Sequence, residues 1–144
     1  MTIQFCNVDL DIELRIELKD LERELDGRVV VLHEGPVSPG CFTLRLETGT
    51  EYDNADDTIL AFCSILKTLS PRGKQIWRSA HKKEFNIGYE IDRSQRITEF
   101  SLQSETVERI GSLGASIGVT LYCGFTTSLK TPRVKRKRKG SADE

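Results

Sequence analysis

The N-terminal part of the chain alternates apolar and polar residues with a period of two. Its apolar positions are Cys6, Val8, Leu10, Ile12 and Leu14. Because neighbouring side chains of a strand point to opposite faces, this pattern predicts a strand over about residues 3–14 with one buried and one solvated face. The solvated row is acidic, and strands disfavour Asp, so we expect this row to face water or to lie at a sheet edge.

Two further segments have helical spacing. A short amphipathic helix is predicted by leucines three and four residues apart, ending before Gly27: Leu18, Leu21 and Leu25. A longer helix is predicted over about residues 55–69, with Asn54 or Asp53 as its N-cap. Its apolar face contains Ile59, Phe62, Cys63, Leu66 and Leu69.

Ser70 and Pro71 fit the N-cap and the first position of another helix, which carries Trp77 inward. We expect Trp77 to pack in the core beside the next strand, whose apolar row is Phe85, Ile87 and Tyr89. A last helix contains Val107 and Ile110.

Strands are predicted near residues 29–32, 42–47, 85–91, 97–102 and 117–123 in addition to the first one. The resulting order is βαββααββαβ, which indicates an α+β fold with ferredoxin-like elements. We expect a mostly antiparallel six-stranded sheet with the helices on one face. We expect residues 1–125 to form one such domain and residues 126–144, where apolar periodicity stops, to form a basic disordered tail.

The composition agrees with a single globular domain of 144 residues. The chain has neither a signal-peptide pattern nor an apolar stretch of about 18 residues, so we expect a cytoplasmic protein without a membrane span. Its four cysteines form no Cys-x-x-Cys pair, and we expect four buried, reduced thiols.

The net charge of −1 conceals a strong asymmetry. Residues 1–130 carry −5, and the first 26 residues alone carry −5, whereas residues 131–144 carry +4. An acidic row of this kind is most often solvated surface, but it also suits a basic partner. The candidate partner-binding residues are Asp9, Asp11, Glu13 and Glu17.

Two basic clusters are the candidates for binding anions. The tail places six cations in seven residues, a density that attracts nucleic-acid phosphates: Arg133, Lys135, Arg136, Lys137, Arg138 and Lys139. The tail also resembles a nuclear localisation signal, and folding back onto the acidic first strand is a further alternative. Within the body, a possible anion patch comprises Lys74, Arg78, His81 and Lys82.

The chain contains no nucleophile elbow, phosphate-binding loop or dinucleotide-binding motif. Its two histidines, His33 and His81, have no metal-binding spacing. An enzyme centred on His81 would need a cleft that joins it to a carboxylate such as Glu84 or Glu90. We therefore expect no catalytic activity, no cofactor and no metal.

One resemblance bears on function. Phe42-Thr43-Leu44-Arg45-Leu46, the Leu69-Ser70-Pro71 bend and the segments 113–115 and 119–122 resemble a family of small uncharacterised bacterial domains. Some members of that group are immunity-type partners of secreted toxins. The resemblance covers about residues 42–123 and implies an α+β fold and a binding role, without an active site.

Together these features lead to two hypotheses. The first is a small protein-binding domain, of the immunity type, that docks a basic partner such as a toxin on its acidic N-terminal face. The alternative is a nucleic-acid-associated protein that uses the basic tail.

Overall fold

The first strand, β1 (Ile3–Leu14), has the predicted bounds and lies inside the sheet with strands on both sides. The computed structural model describes residues 3–124. The other strands are β2 (Val29–Ser38), β3 (Cys41–Thr48), β4 (Lys82–Asp92) and β5 (Ser116–Gly124). The helices are α1 (Lys19–Leu25), α2 (Ala55–Lys67), α3 (Pro71–Ser79) and α4 (Ser104–Ser112).

The strands form one sheet in the order β2-β3-β1-β4-β5. All neighbours are antiparallel except β4 and β5, which are parallel. The connection from β1 through α1 to β2 passes over β3, which lies between these two strands. The connection from β3 through α2 and α3 to β4 passes over β1 in the same way. This is the split arrangement of a βαββαβ unit. The predicted α+β class and the mostly antiparallel sheet are confirmed.

The prediction of six strands is wrong for the described residues, because the segment around Ile97, Phe100 and Leu102 is not a strand. Parallel neighbours need a long crossover, and this segment together with α4 carries the chain from the end of β4 to the start of β5. The Phe100 ring stacks on Tyr89 at 4.6 Å, and Leu102 packs against the core. Phe100 and Leu102 therefore anchor a crossover, whereas Ile97 is exposed.

The core lies between the sheet and the helices. The inward row of β1, Val8 to Leu14, is at most 1% exposed. All four helices add side chains to the same core, which include Leu21 and Leu25 of α1, Phe62 of α2, Ile76 of α3 and Ile110 of α4. One face of β1 is thus sealed by apolar packing, which leaves its polar row on the opposite face.

The starts of α2 and α3 follow the predicted capping chemistry. The Asn54 side chain accepts from the Asp57 amide at 2.8 Å, and the Ser70 hydroxyl accepts from the Gly73 amide at 3.0 Å. Asp56 reaches across to α4, where it accepts from the Gln103 amide at 2.9 Å. This carboxylate therefore fixes the start of α4 against α2.

The prediction of four buried cysteines is wrong. None of the four forms a disulfide, but only Cys63 of α2 is buried. Cys6 and Cys41 are half-buried, and Cys123 is exposed. The last of these lies on the edge strand β5, and Cys41 begins β3 at a sheet end, so neither position is enclosed by the helices.

Trp77 is buried in the core, with only 5% of its surface exposed. Its indole N–H donates to the Leu113 carbonyl at 3.0 Å, which links α3 to the end of α4. The ammonium of Lys83 lies 5.6 Å from the ring centroid. The side chain therefore combines apolar packing with one specific polar contact.

Replacing Trp77 by Phe keeps an aromatic ring but removes the donor to the Leu113 carbonyl. We expect the Trp77→Phe variant to lose about 1–3 kcal/mol of unfolding free energy, the cost of a buried unsatisfied group. Urea denaturation followed by circular dichroism measures this loss. Tyr122→Phe, at an exposed ring, is the matched control and should change stability by less than about 0.5 kcal/mol. Equal stability of both variants would contradict this role of the indole.

Glu24 of α1 is clamped to the start of α3. Its carboxylate accepts from the Ser70 amide at 2.8 Å and from the Ser70 hydroxyl at 2.5 Å. A side chain at Gly73 would place its Cβ 2.7 Å from a Glu24 oxygen. The clamp therefore requires glycine at position 73, although glycine is a weak helix former.

A double-mutant cycle tests this clamp. We expect Gly73→Ala to destabilise the wild-type chain, because Cβ displaces the Glu24 carboxylate from Ser70. In a Glu24→Ala background the same change should stabilise the protein by about 0.5–1 kcal/mol through helix propensity. If Gly73→Ala has the same effect in both backgrounds, no coupling exists between the two positions.

The clamp also predicts a response to acid. The side-chain hydrogen bond from Ser70, followed by the Ser70 amide, holds the pKa of Glu24 below its ordinary 4.5. A lowered folded-state pKa contributes stability that is present above pH 4.5 and is lost as pH falls through the folded value. Unfolding free energy measured from pH 6 downwards should fall less steeply for Glu24→Gln than for the wild type. Parallel profiles would refute this contribution.

Candidate binding face of the sheet

The face of the sheet opposite the helices is the candidate site, and we call it the outer face. Asp9, Asp11 and Glu13 of β1 all point to it, because the residues between them fill the core. Glu17 is exposed in the connection between β1 and α1, beyond the end of the strand. The structure thus brings three of the four predicted acidic residues onto one surface.

Neighbouring strands extend the acidic row. Asn7 donates to Asp9 at 2.9 Å and to Glu47 of β3 at 3.2 Å, so these two carboxylates lie around one amide group. The outward positions of β3, β1 and β4 hold seven carboxylates and two cations, a formal charge of −5. The carboxylates are Asp9, Asp11, Glu13, Glu47, Glu84, Glu90 and Asp92, and the cations are Arg45 and Lys82.

One of these cations is already engaged. Arg45 Nε lies 2.8 Å from Asp11 Oδ1, and the Asp11 side chain is only 13% exposed. The hydrogen bond to Asp11 raises the pKa of Arg45 above its ordinary value. Asp11 therefore has a positive partner within the sheet, which lowers its availability to a second molecule.

Polar contacts and two glycines shape the side of the face towards β5. The Thr120 hydroxyl donates to the Asn86 side-chain oxygen at 2.9 Å. A Cβ at Gly88 would lie 2.6 Å from the Asn7 oxygen, and one at Gly118 would lie 2.7 Å from a Glu84 oxygen. Only glycine leaves room for these polar groups to lie flat across the neighbouring strand.

Exposed apolar groups flank the acidic centre. Tyr122 of β5 is 54% exposed, and its ring passes over Gly88. Val30 of β2, which is paired with Glu47, is 47% exposed on the opposite edge. The outer face thus has an acidic middle and an aromatic or aliphatic residue at each edge.

A second feature of this face was not anticipated from the sequence. His81 Nε2 lies 3.3 Å from Glu13 Oε1 and 3.8 Å from Cys41 Sγ. Cys41 follows Glu13 by 28 residues, and His81 follows Cys41 by 40 residues. Neither local spacing nor a known motif joins the three positions. The carboxylate beside His81 is Glu13, not Glu84 or Glu90. We call this group the Glu13–Cys41–His81 cluster.

The predicted anion patch is divided between two elements. Lys74 and Arg78 lie four residues apart on the exposed side of α3. Lys82 begins β4 and pairs with Glu13 in the register, and His81 contacts Glu13. Two of the four side chains, His81 and Lys82, therefore lie beside acidic residues and not in a separate basic patch.

The tail residues Arg133, Lys135, Arg136, Lys137, Arg138 and Lys139 lie outside the described residues, and their role stays a prediction.

No protein-family model, curated protein or solved structure matches this chain. The resemblance to immunity-type domains accordingly stays a prediction. None of the four helices in residues 3–124 combines the length and apolar character that crossing a membrane requires.

Proposed function

We propose that the protein is a cytoplasmic protein-binding domain that docks a basic partner on the outer face of its sheet. The observation that carries this proposal is the concentration of seven carboxylates against two cations on a face that the helices leave open. Carboxylates arranged in this way attract a basic surface before contact and accelerate association.

The composition of the face supports a protein as the partner. Interfaces combine charged groups that steer with aromatic residues that supply binding energy, and Tyr is among the residues enriched at energetic centres. Tyr122 is exposed at the edge of the acidic surface. Nucleic acid is disfavoured on this face because its phosphates would be repelled.

An immunity-type inhibitor would use such a face against a basic toxin surface. Asp9 and Glu84 lie on the paired interior strands β1 and β4, so we expect reversal of their charge to have the largest effect. Asp11 contributes less because Arg45 already neutralises it. Glu13 contributes less because it contacts His81.

Charge reversal on the face tests the proposal. The tagged full-length chain should capture a basic protein from its native host at low salt, and the Asp9→Lys/Glu84→Lys variant should lose it. We expect the association rate with the identified partner to fall roughly tenfold or more at low salt. Tyr122→Ala should weaken binding by about 2 kcal/mol, roughly thirtyfold in Kd.

Glu108→Lys on the exposed surface of α4 is the matched control, since it changes charge away from the outer face. It should retain the partner. Capture that is equally strong for the control and for the outer-face variant would refute docking on this surface.

A further inference from the structure

The Glu13–Cys41–His81 cluster joins the ends of three adjacent strands. Glu13 lies near the end of β1, Cys41 begins β3, and His81 directly precedes β4. One ligand atom from each side chain lies within 4.8 Å of the other two. We infer that these three side chains form a Zn²⁺-binding site, an inference that does not rest on the proposed docking function.

The distances agree with those of ligands around zinc. Zn–N and Zn–O bonds of about 2.0–2.1 Å and a Zn–S bond of about 2.3 Å, arranged tetrahedrally, place ligand atoms roughly 3.3–3.6 Å apart. The N–O distance here is 3.3 Å and the S–N distance is 3.8 Å. The third pair, Cys41 Sγ and a Glu13 oxygen, lies within 4.8 Å. An ion can therefore enter the cluster when the thiol and the carboxylate move towards each other.

A catalytic relay explains the geometry less well. In a relay, one imidazole nitrogen faces the nucleophile and the other faces the carboxylate. Here the Cys41 sulfur and the Glu13 oxygen both approach Nε2 of His81. Convergence on the same nitrogen places the three atoms around a common point, which is the arrangement of a metal centre.

Backbone hydrogen bonds hold two of the ligands in position before any metal binds. The His81 amide donates to the Glu13 carbonyl at 3.0 Å, and Glu13 is paired with Lys82 and with Thr43 in the sheet. Because Phe42 pairs with Leu14, Cys41 is carried to the same end of the sheet as Glu13. Ligands on paired strands lose little conformational freedom on binding.

The donor types select the metal. One thiolate, one imidazole and one carboxylate suit Zn²⁺, whereas Mg²⁺ and Ca²⁺ prefer oxygen ligands throughout. The His81 and Glu13 side chains are 35% and 32% exposed, which leaves a fourth position open to water. The acidic face favours a divalent cation, although Lys82 lies opposite Glu13.

Titration of the reduced full-length chain with Co²⁺, followed by displacement with Zn²⁺, tests the site. We expect one ion per chain and a near-ultraviolet thiolate-to-Co²⁺ charge-transfer band that Zn²⁺ abolishes. Cys41→Ser should remove the band, and His81→Ala should weaken the Zn²⁺ Kd by about a hundredfold or more. Cys123→Ser and His33→Ala, at the exposed cysteine and the other histidine, should bind like the wild type.

The stability of each variant separates loss of the site from loss of the fold. Zn²⁺ should raise the Tm of the wild type and of both control variants, but not that of Cys41→Ser, whose metal-free Tm should match the wild type. A charge-transfer band that persists in Cys41→Ser, or Zn²⁺ binding that His81→Ala leaves unchanged, would overturn the inference. So would Co²⁺ binding by the wild type without a thiolate band.

Discussion

The burial of one row of β1 constrains the rest of the molecule. Val8, Leu10, Ile12 and Leu14 are almost completely shielded by the helices, in a strand that has neighbours on both sides. Because side chains alternate strictly, a shift of one residue would bring Asp9, Asp11 and Glu13 into the core, at a cost of several kcal/mol for each charge. The apolar packing therefore fixes both the register of the sheet and the position of its acidic row.

The acidic row is compatible with an interior strand because it lies on the outer face, which is open to water. Side chains of the neighbouring strands also contact its carboxylates. Arg45 of β3 offsets Asp11, and Asn7 bridges Asp9 and Glu47. Gly88 and Gly118 give polar side chains the space to lie across β4 and β5. Strand propensity alone disfavours these aspartates, and cross-strand pairing compensates for it.

Local patterns predicted the elements whose signals are local. The alternation in β1, the Asn54 cap and the Ser70-Pro71 helix start depend on neighbours in sequence, and all three are confirmed. The segment around Ile97 and Phe100 was misassigned because its apolar residues belong to a crossover, in which Phe100 stacks on Tyr89 and Ile97 is exposed. Only the parallel pairing of β4 with β5 explains why the chain must cross there. The Glu13–Cys41–His81 cluster was missed because strand pairing, not sequence spacing, brings its members together.

The acidic face and the cluster share Glu13, so the state of one affects the other. A Zn²⁺ ion bound by one carboxylate, one thiolate and a neutral imidazole would make the Glu13–Cys41–His81 cluster formally neutral and remove the negative charge of Glu13 from that end of the face. The remaining charge would then be centred on Asp9, Glu47, Glu84 and Glu90, nearer to Tyr122, which pairs with Glu90 at the opposite end of β4. Metal binding would thus move the centre of negative charge on the outer face away from the cluster and towards Tyr122. The same strand that orders the core therefore sets the relative positions of the two candidate sites.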